Sequence, residues 1–134
     1  MNYWLIKSEP SVFSWERLLK DKKVVWDGVR SYAARLNLRG MKKGDEVFFY
    51  HSNEGLAIVG IAKVIKESYQ DPSTNEDWSA VDFAPVKSLT RPVTLAEIKA
   101  DKLLKNIYLV KQGRLSVMPL EEKEFNHILE LSQT

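Results

Sequence analysis

Two adjacent segments, Glu46–Ser52 and Leu56–Glu67, constrain the fold of this chain more than any others. The first is a strand pattern in which both alternating faces carry large apolar side chains, so both faces are expected to be covered. The residues Asn53-Glu54-Gly55 between the two segments have the composition of a hairpin turn. The second segment is long for a strand and contains Gly60 near its middle, which is typical of a bulge, a bend or a close approach. The pair therefore predicts a bent antiparallel hairpin at the centre of a sheet.

The rest of the chain supplies short strands and short helices. Further strands are predicted at Tyr3–Lys7, Val24–Trp26, Trp78–Leu89 and Arg114–Met118, with a weaker strand pattern at Ile107–Val110. Helices are predicted for about two turns after Ser14, for Ser31–Leu38, for Thr94–Ala100 with a capping box, and for Glu121–Leu131. The order predicts an α+β fold, as a small, partly antiparallel barrel or a strongly curved sheet with helices at its mouth.

Length and composition set the class of the protein. A chain of 134 residues is long enough for one domain, so we expect a single domain over residues 1–134. No apolar run is long enough to span a membrane, and the N-terminal segment lacks the pattern of a secretion signal, so no membrane partner is expected. The chain has no cysteine, which excludes disulfides and fits a reducing compartment. We expect a cytoplasmic location.

Basic residues are concentrated in one part of the chain. Between Arg17 and Lys43 lie nine basic and two acidic residues, a net charge of +7, whereas the chain as a whole carries +2 and the remainder therefore −5. In the predicted second helix Ser31, Arg35 and Arg39 share one face, and Tyr32, Ala33 and Leu36 share an apolar one. We predict a phosphate-binding face, with a solvated surface as the alternative. Its residues would be Arg30, Arg35, Arg39, Lys42 and Lys43.

Catalytic and metal-binding patterns are scarce. His51 and Ser52 are neighbours on a strand and point to opposite faces, so they do not form a nucleophile–base pair. Two histidines without cysteine do not supply a zinc site, and no glycine-rich phosphate loop occurs. Eighteen acids allow many carboxylate pairs, but nothing singles one out. We therefore predict a binding module with no catalytic residue, no metal and no cofactor.

The four tryptophans separate into two groups by their positions. Trp4 and Trp15 lie within predicted strand and helix patterns and are expected in the core. Trp26 and Trp78 each stand at the end of an extended segment, where a side chain can overhang a cavity. Stacking on an aromatic ring is worth about 1–3 kcal/mol per nucleobase. Trp26 and Trp78 are therefore the candidate walls of a base-binding cavity.

Polar residues beside this predicted cavity would read the edge of the base. The Asp27 carboxylate is suited to accept a hydrogen bond from an exocyclic amine such as N4 of cytosine, and an ion pair with Arg30 is its alternative role. Ser8, at the end of the first strand, would add a hydroxyl or a backbone contact.

Five blocks of sequence resemble the EVE domain, a member of the PUA-like superfamily. They are Trp4-Leu5-Ile6-Lys7-Ser8-Glu9-Pro10, Trp26-Asp27-Gly28-Val29-Arg30 with Tyr32 and Ala34-Arg35, Phe49-Tyr50-His51-Ser52, Trp78-Ser79 with Val81-Asp82, and Arg114-Leu115-Ser116 followed by Pro119-Leu120. The blocks lie in the family's order and span nearly the whole chain. The resemblance implies a bent, mostly antiparallel PUA-like β-barrel of five or six strands with short peripheral helices.

The resemblance also implies a ligand. EVE domains are similar to YTH domains, which hold methylated adenine in an aromatic cage, and family members are associated with modified cytosine in DNA. By this likeness Trp26 is a cage wall, Trp78 lies near it, and the lining includes Ser8, Asp27, Tyr32 and Tyr50. The expected function is capture of 5-methyl- or 5-hydroxymethylcytosine in DNA by a monomeric protein, with DNA preferred over RNA. The alternatives are a module that reads modified RNA and, less favoured, an enzyme acting on a modified base or nucleoside.

Overall fold

The computed structural model describes residues 1–134 and contains one six-stranded sheet surrounded by five helices. The strands are β1 (Tyr3–Ser8), β2 (Val24–Trp26), β3 (Glu46–His51), β4 (Ala57–Gln70), β5 (Ser79–Thr94) and β6 (Val117–Leu120). Their order is β2-β5-β4-β3-β1-β6, and every pair of neighbours is antiparallel except β1 and β3. The predicted α+β class and mostly antiparallel six-stranded sheet are confirmed. The barrel does not close, however, because β2 and β6 remain as the two edges of an open sheet.

The sheet is strongly curved. β2 and β3 are three strand positions apart, about 14 Å on a flat sheet, yet the ring centroids of Trp26 on β2 and Phe49 on β3 are 6.0 Å apart. Shifts of register in the β3–β4 and β4–β5 ladders introduce the bend. One shift lies at Gly60, whose position is in contact with the indole of Trp15. The close approach predicted for this glycine is confirmed.

The first three of the five helices begin where the sequence predicts. They are α1 (Trp15–Asp21), α2 (Tyr32–Gly40), α3 (Leu95–Ala100), α4 (Tyr108–Lys111) and α5 (Glu122–Leu131). The side chains of Ser14 and Ser31 accept hydrogen bonds from the first turns of α1 and α2. Thr94 and Glu97 form the predicted capping box of α3. No helix is long and apolar enough to cross a membrane.

One prediction near the C-terminus is wrong, and the bounds of another are shifted. Ile107–Val110 is not a strand: the Ile107 carbonyl accepts from the amides of Val110 and Lys111, which closes the short helix α4. The sheet position next to β1 belongs to β6 instead, and β6 begins later than the predicted strand. Pro119 lies within β6, where a proline is tolerated because β6 is an edge strand.

The core explains how α2 is oriented. Trp4 and Trp15 are buried, as predicted. α2 packs through Ala34 and Leu38, four residues apart on one face, whereas Tyr32 is 69% exposed and Leu36 63% exposed. The prediction of an apolar face at Tyr32 and Leu36 is therefore wrong, because the small Ala34 side chain allows the closer approach of the helix to the sheet.

Candidate functional site

A cavity of about 510 Å³ opens between the end of β1 and the edge strand β2. We call it the Trp26 cavity. It brings together three of the predicted base-binding residues, Ser8 from the end of β1 and the neighbours Trp26 and Asp27 from the end of β2. Its complete lining is Lys7, Ser8, Glu9, Val12, Phe13, Val24, Val25, Trp26 and Asp27.

The indole of Trp26 is held in a fixed orientation by other rings. The centroids of Phe13, Phe49 and Phe83 lie 6.2, 6.0 and 5.9 Å from that of Trp26, and all three contacts are edge-to-face. Phe49 and Phe83 are fully buried beneath the indole, whereas Trp26 itself is only half-buried. A fixed, partly uncovered indole is suited to stack on a planar ligand without losing much conformational entropy.

The Ser8 and Asp27 side chains lie beside this indole and differ in their hydrogen bonding within the protein. The Ser8 hydroxyl donates a hydrogen bond of 2.5 Å to the carbonyl oxygen of Phe13, so only its acceptor capacity is left. The Asp27 side chain is exposed and has no hydrogen bond or ion pair within the protein. The alternative pair with Arg30 does not form, since Arg30 binds Asp71 at 2.9 Å. Asp27 is therefore a free acceptor of the cavity, and the exposed Glu9 carboxylate, which also lines it and forms no ion pair, is another.

A fully buried carboxylate, Asp71, fixes the corner that carries Asp27. One of its oxygens accepts from the Gly28 amide and from Arg30, each at 2.9 Å, and the other accepts from the amide and hydroxyl of Ser73. Burial alone would raise the pKa of Asp71, but these hydrogen bonds outweigh it and hold the pKa far below its usual range. Gly28 has φ +75°, which a residue with a side chain rarely adopts. Sequence reasoning missed Asp71, because the segment around it was expected to be an exposed loop.

The second candidate wall, Trp78, does not line the Trp26 cavity. Its ring stacks on Tyr32 at 5.6 Å, and the guanidinium of Arg35 lies 4.8 Å from the Tyr32 centroid and 5.0 Å from that of Trp78. The guanidinium of Arg30 also lies over the Trp78 ring, 5.5 Å from its centroid. Trp78 and Tyr32 thus form a separate aromatic–cation cluster between the 71–78 loop and α2. The prediction that they share one cavity with Trp26 is wrong, because cation–π contacts hold that loop on α2.

Tyr50 also lies elsewhere. It is 2% exposed and faces a second cavity of about 270 Å³, between the end of β3 and helices α3 and α4. We call this the Tyr50 cavity. Tyr50 cannot reach the Trp26 cavity, because its neighbour Phe49 contacts Trp26 and successive strand residues point to opposite faces. The lining consists of Lys7, Tyr50, Ser52, Asn53, Leu56, Leu95, Lys99, Leu109, Val110 and Gly113.

The basic residues of α2 point together, but they already have partners. Arg35 donates to the Asp77 carbonyl at 2.7 Å, and Arg39 donates to the Asp77 carboxylate at 2.6 Å and to the Ser79 hydroxyl at 2.8 Å. Lys42 and Lys43, in the turn after α2, are exposed and form no ion pair. The phosphate-binding role of these residues and of Arg30 stays a prediction.

Six of the nine lining residues were not predicted: Lys7, Glu9, Val12, Phe13, Val24 and Val25. Phe13 immediately precedes Ser14, the N-cap of α1, where an apolar residue commonly packs against the helix. That position was the available signal. For Lys7 the only signal was its position near the end of β1. This signal is weak, because a lysine at such a position is ordinarily solvated.

The histidine on β3 has a structural contact. His51 accepts a hydrogen bond of 3.0 Å from the amide of Trp15 through Nε2, at the start of α1. Burial lowers the pKa of His51, which favours the neutral ring that this hydrogen bond requires. Neither His51 nor any other histidine lines the Trp26 cavity. The cavity has an aromatic wall and polar groups at its edge.

The curved sheet is that of a known class of domain. The family model of the EVE domain matches residues 2–131, so the chain belongs to the EVE domain family. The predicted membership is confirmed. Thymocyte nuclear protein 1 of Mus musculus is 42% identical, over 99% of this chain and 74% of that protein. The human form is 40% identical, over 98% of this chain and 74% of its own length.

Solved structures extend the comparison. A protein from Rhodopseudomonas palustris has a TM-score of 0.95 and 42% identity, covering 99% of this chain and 94% of that one. The human THYN1 protein in complex with 5-methylcytosine-containing DNA has a TM-score of 0.92 and 38% identity, covering 100% and 99%. A YTH domain from Zygosaccharomyces rouxii, in complex with N6-methyladenosine RNA, has a TM-score of 0.62 at 14% identity, covering 98% and 86%. The YTH likeness concerns the fold alone.

Proposed function

We propose that this EVE-domain protein binds nucleic acid non-catalytically and takes a modified cytosine of DNA into the Trp26 cavity. The observation that carries the proposal is the fixed, half-buried indole of Trp26 beside the free carboxylate of Asp27. The indole would stack on the pyrimidine, and the carboxylate would accept from its exocyclic N4 amine. The complex of human THYN1 with 5-methylcytosine-containing DNA supports this ligand class.

The energies favour capture with modest discrimination. Turning a base out of a duplex costs a few kcal/mol, and stacking returns about 1–3 kcal/mol. Burial of one additional methyl group contributes about 0.8 kcal/mol. Methylated and unmodified cytosine should therefore differ in affinity by about tenfold or less.

Fluorescence anisotropy with matched oligonucleotides tests the proposal. The three ligands carry 5-methylcytosine, 5-hydroxymethylcytosine or cytosine at one position. Trp26→Ala is expected to weaken binding of the modified oligonucleotides by about tenfold or more, from the loss of stacking. Asp27→Asn should weaken it less, because the amide keeps one acceptor oxygen.

Trp78→Ala is the matched control, because Trp78 is also a half-buried tryptophan but lies outside the cavity. It should leave the discrimination between the ligands unchanged. Circular dichroism melting of each variant separates loss of binding from loss of folding. Equal affinity for all three ligands, with no loss of affinity in Trp26→Ala, would contradict the proposal. RNA of the same sequence forms a parallel arm, and tighter binding to modified RNA would redirect the function to RNA.

A further inference from the structure

We propose that the Tyr50 cavity is an anion site for a phosphate group of the strand whose base occupies the Trp26 cavity. The proposal rests on the proposed function for the identity of the strand. The phosphate site itself depends on the residues that line the Tyr50 cavity and not on a base in the Trp26 cavity.

The first observation is an unpartnered polar group. Tyr50 is almost completely buried and faces the cavity, and no other group of the protein forms a hydrogen bond with its hydroxyl. The hydroxyl oxygen itself is not sealed from solvent, so it is open to a ligand that enters the cavity. The phenol O–H is placed to donate to a ligand in the cavity.

The second observation is the charge of the lining. Lys7 and Lys99 both line the cavity, and it contains no acidic residue. The Lys7 ammonium donates one hydrogen bond to the Gly113 carbonyl, which leaves two of its N–H groups free. Lys99 is exposed and has no ion pair. Two cations with spare donors beside a phenol hydroxyl are the chemistry that recognises an oxyanion.

The third observation is the position of Lys7 between the two cavities. It is the one residue that lines both of them. Burial also lowers the pKa of Lys7, and an anion beside it would reverse that shift. A phosphate held there would lie next to the base stacked on Trp26. The arginines of α2, by contrast, already bind Asp77.

The remaining wall fits the rest of a nucleotide. Ser52 and Asn53 add neutral hydrogen-bonding groups, and the other side chains of the lining are aliphatic. An aliphatic wall suits the carbon face of a sugar, while the cations bind the phosphate. The class of ligand is therefore a sugar–phosphate unit.

NMR titration with inorganic phosphate, deoxycytidine 5′-monophosphate and deoxycytidine tests the site directly. Tyr50→Phe removes only the hydroxyl, and Lys99→Ala removes one cation. Lys87→Ala is the control, because Lys87 is an exposed lysine on β5 that lines neither cavity. We expect Lys99→Ala to weaken binding of phosphate and the monophosphate by about tenfold, Tyr50→Phe to weaken it less, and Lys87→Ala to change nothing. Phosphate-induced shifts that lie elsewhere, or that survive both variants, would overturn the proposal.

A second titration connects the site to the strand. In a 5-methylcytosine oligonucleotide, the phosphates flanking the modified base are replaced one at a time by neutral methylphosphonate. One replacement should weaken binding to the wild type but not weaken it further in Lys99→Ala, because the same contact is already lost. If inorganic phosphate binds but no replacement has an effect, the assignment to the strand is overturned.

The two proposals fail in different ways. If affinity depends on Trp26 but neither Tyr50→Phe nor Lys99→Ala has an effect, the phosphate site is overturned and base capture is retained. Phosphate binding that depends on Tyr50 and Lys99, with no dependence of oligonucleotide affinity on Trp26, removes base capture instead.

Discussion

The indole of Trp15 lies directly against Gly60, and a Cβ built on this glycine would be 2.2 Å from Cζ2 of the ring. The indole is buried and donates from Nε1 to the Ser88 hydroxyl at 2.8 Å, so it has no free direction in which to move. We expect Gly60→Ala to destabilise the protein by about 3 kcal/mol, because the core must be displaced to admit one methyl group. Urea unfolding measures the change.

Gly113→Ala is the control for this substitution. A Cβ at Gly113 meets nothing within 4 Å. The free energy of unfolding should therefore change by no more than about 0.5 kcal/mol. A similar loss in both variants would show that the contact with Trp15 is not the cause.

Features that depend on nearby residues were predictable from the sequence. Ser14 and the Thr94–Glu97 pair cap helices because a short side chain and a free backbone amide meet within one turn. The close approach at Gly60 was predictable because a glycine inside a long strand commonly marks a bulge, a bend or a close contact. The segment Ile107–Val110 was not predictable, since its residues suit a strand and only the occupation of the sheet edge by β6 decides otherwise.

The candidate site was predictable only in part. Ser8, Trp26 and Asp27 were grouped correctly, although they come from two separate strand ends. Trp78 and Tyr50 were placed with them, but their positions depend on long-range geometry. The 71–78 loop folds onto α2 around the buried Asp71, and strand alternation turns Tyr50 away from Trp26.

The ion pair between Arg91 and Glu97 makes part of the stability depend on pH. The hydrogen bond from Arg91, aided by the Thr94 amide, lowers the pKa of Glu97 from 4.5 to about 2. Because the folded pKa lies below the unfolded one, this contribution is present above about pH 4.5 and is lost as pH falls toward 2. We expect Arg91→Gln to raise the pKa of Glu97 and to move acid unfolding to higher pH. NMR titration of the Glu97 carboxyl measures the shift.

Lys123→Gln is the control for the Arg91 variant, because Lys123 belongs to an exposed pair with Glu121 at 3.4 Å. It should leave the titration of Glu97 unchanged. A Glu97 carboxyl that titrates near 4.5 in the wild type would contradict the prediction.

Asp71 is expected to stabilise the corner beside Asp27. In Asp71→Asn one carboxylate oxygen becomes an amide group, so either the Gly28 amide or the Ser73 amide loses its acceptor. We expect a loss of about 2 kcal/mol in the free energy of unfolding and faster hydrogen exchange at the Gly28 or the Ser73 amide, whichever faces the new amide group. Binding of 5-methylcytosine oligonucleotides should weaken in parallel.

Asp21→Asn is the matched control for Asp71→Asn. It breaks the exposed pair with Arg17, so the expected change is below about 0.5 kcal/mol. Unchanged exchange at both the Gly28 and the Ser73 amides in Asp71→Asn would contradict the role given to the buried carboxylate.

Asp77 determines whether the basic face of α2 is available to nucleic acid. It is 79% exposed and pairs with both Arg35 and Arg39, so the pairs contribute little to stability. Asp77→Ala removes an acid and frees two guanidinium groups. If this face contacts phosphate, affinity for DNA should rise, and the slope of log affinity against log salt should steepen by about one. Anisotropy titrations at several salt concentrations measure both quantities.

Glu130→Ala separates a local effect of Asp77 from a change in net charge. Glu130 is 78% exposed, nearly as much as Asp77, but it lies on α5, so its removal adds the same charge at another surface. Steepening of the slope in Asp77→Ala alone would place phosphate on α2. Equal behaviour of the two variants would contradict the predicted role of Arg35 and Arg39. Phosphate contacts would then be expected at basic residues without an ion pair, among which Lys7 and Lys99 line the Tyr50 cavity.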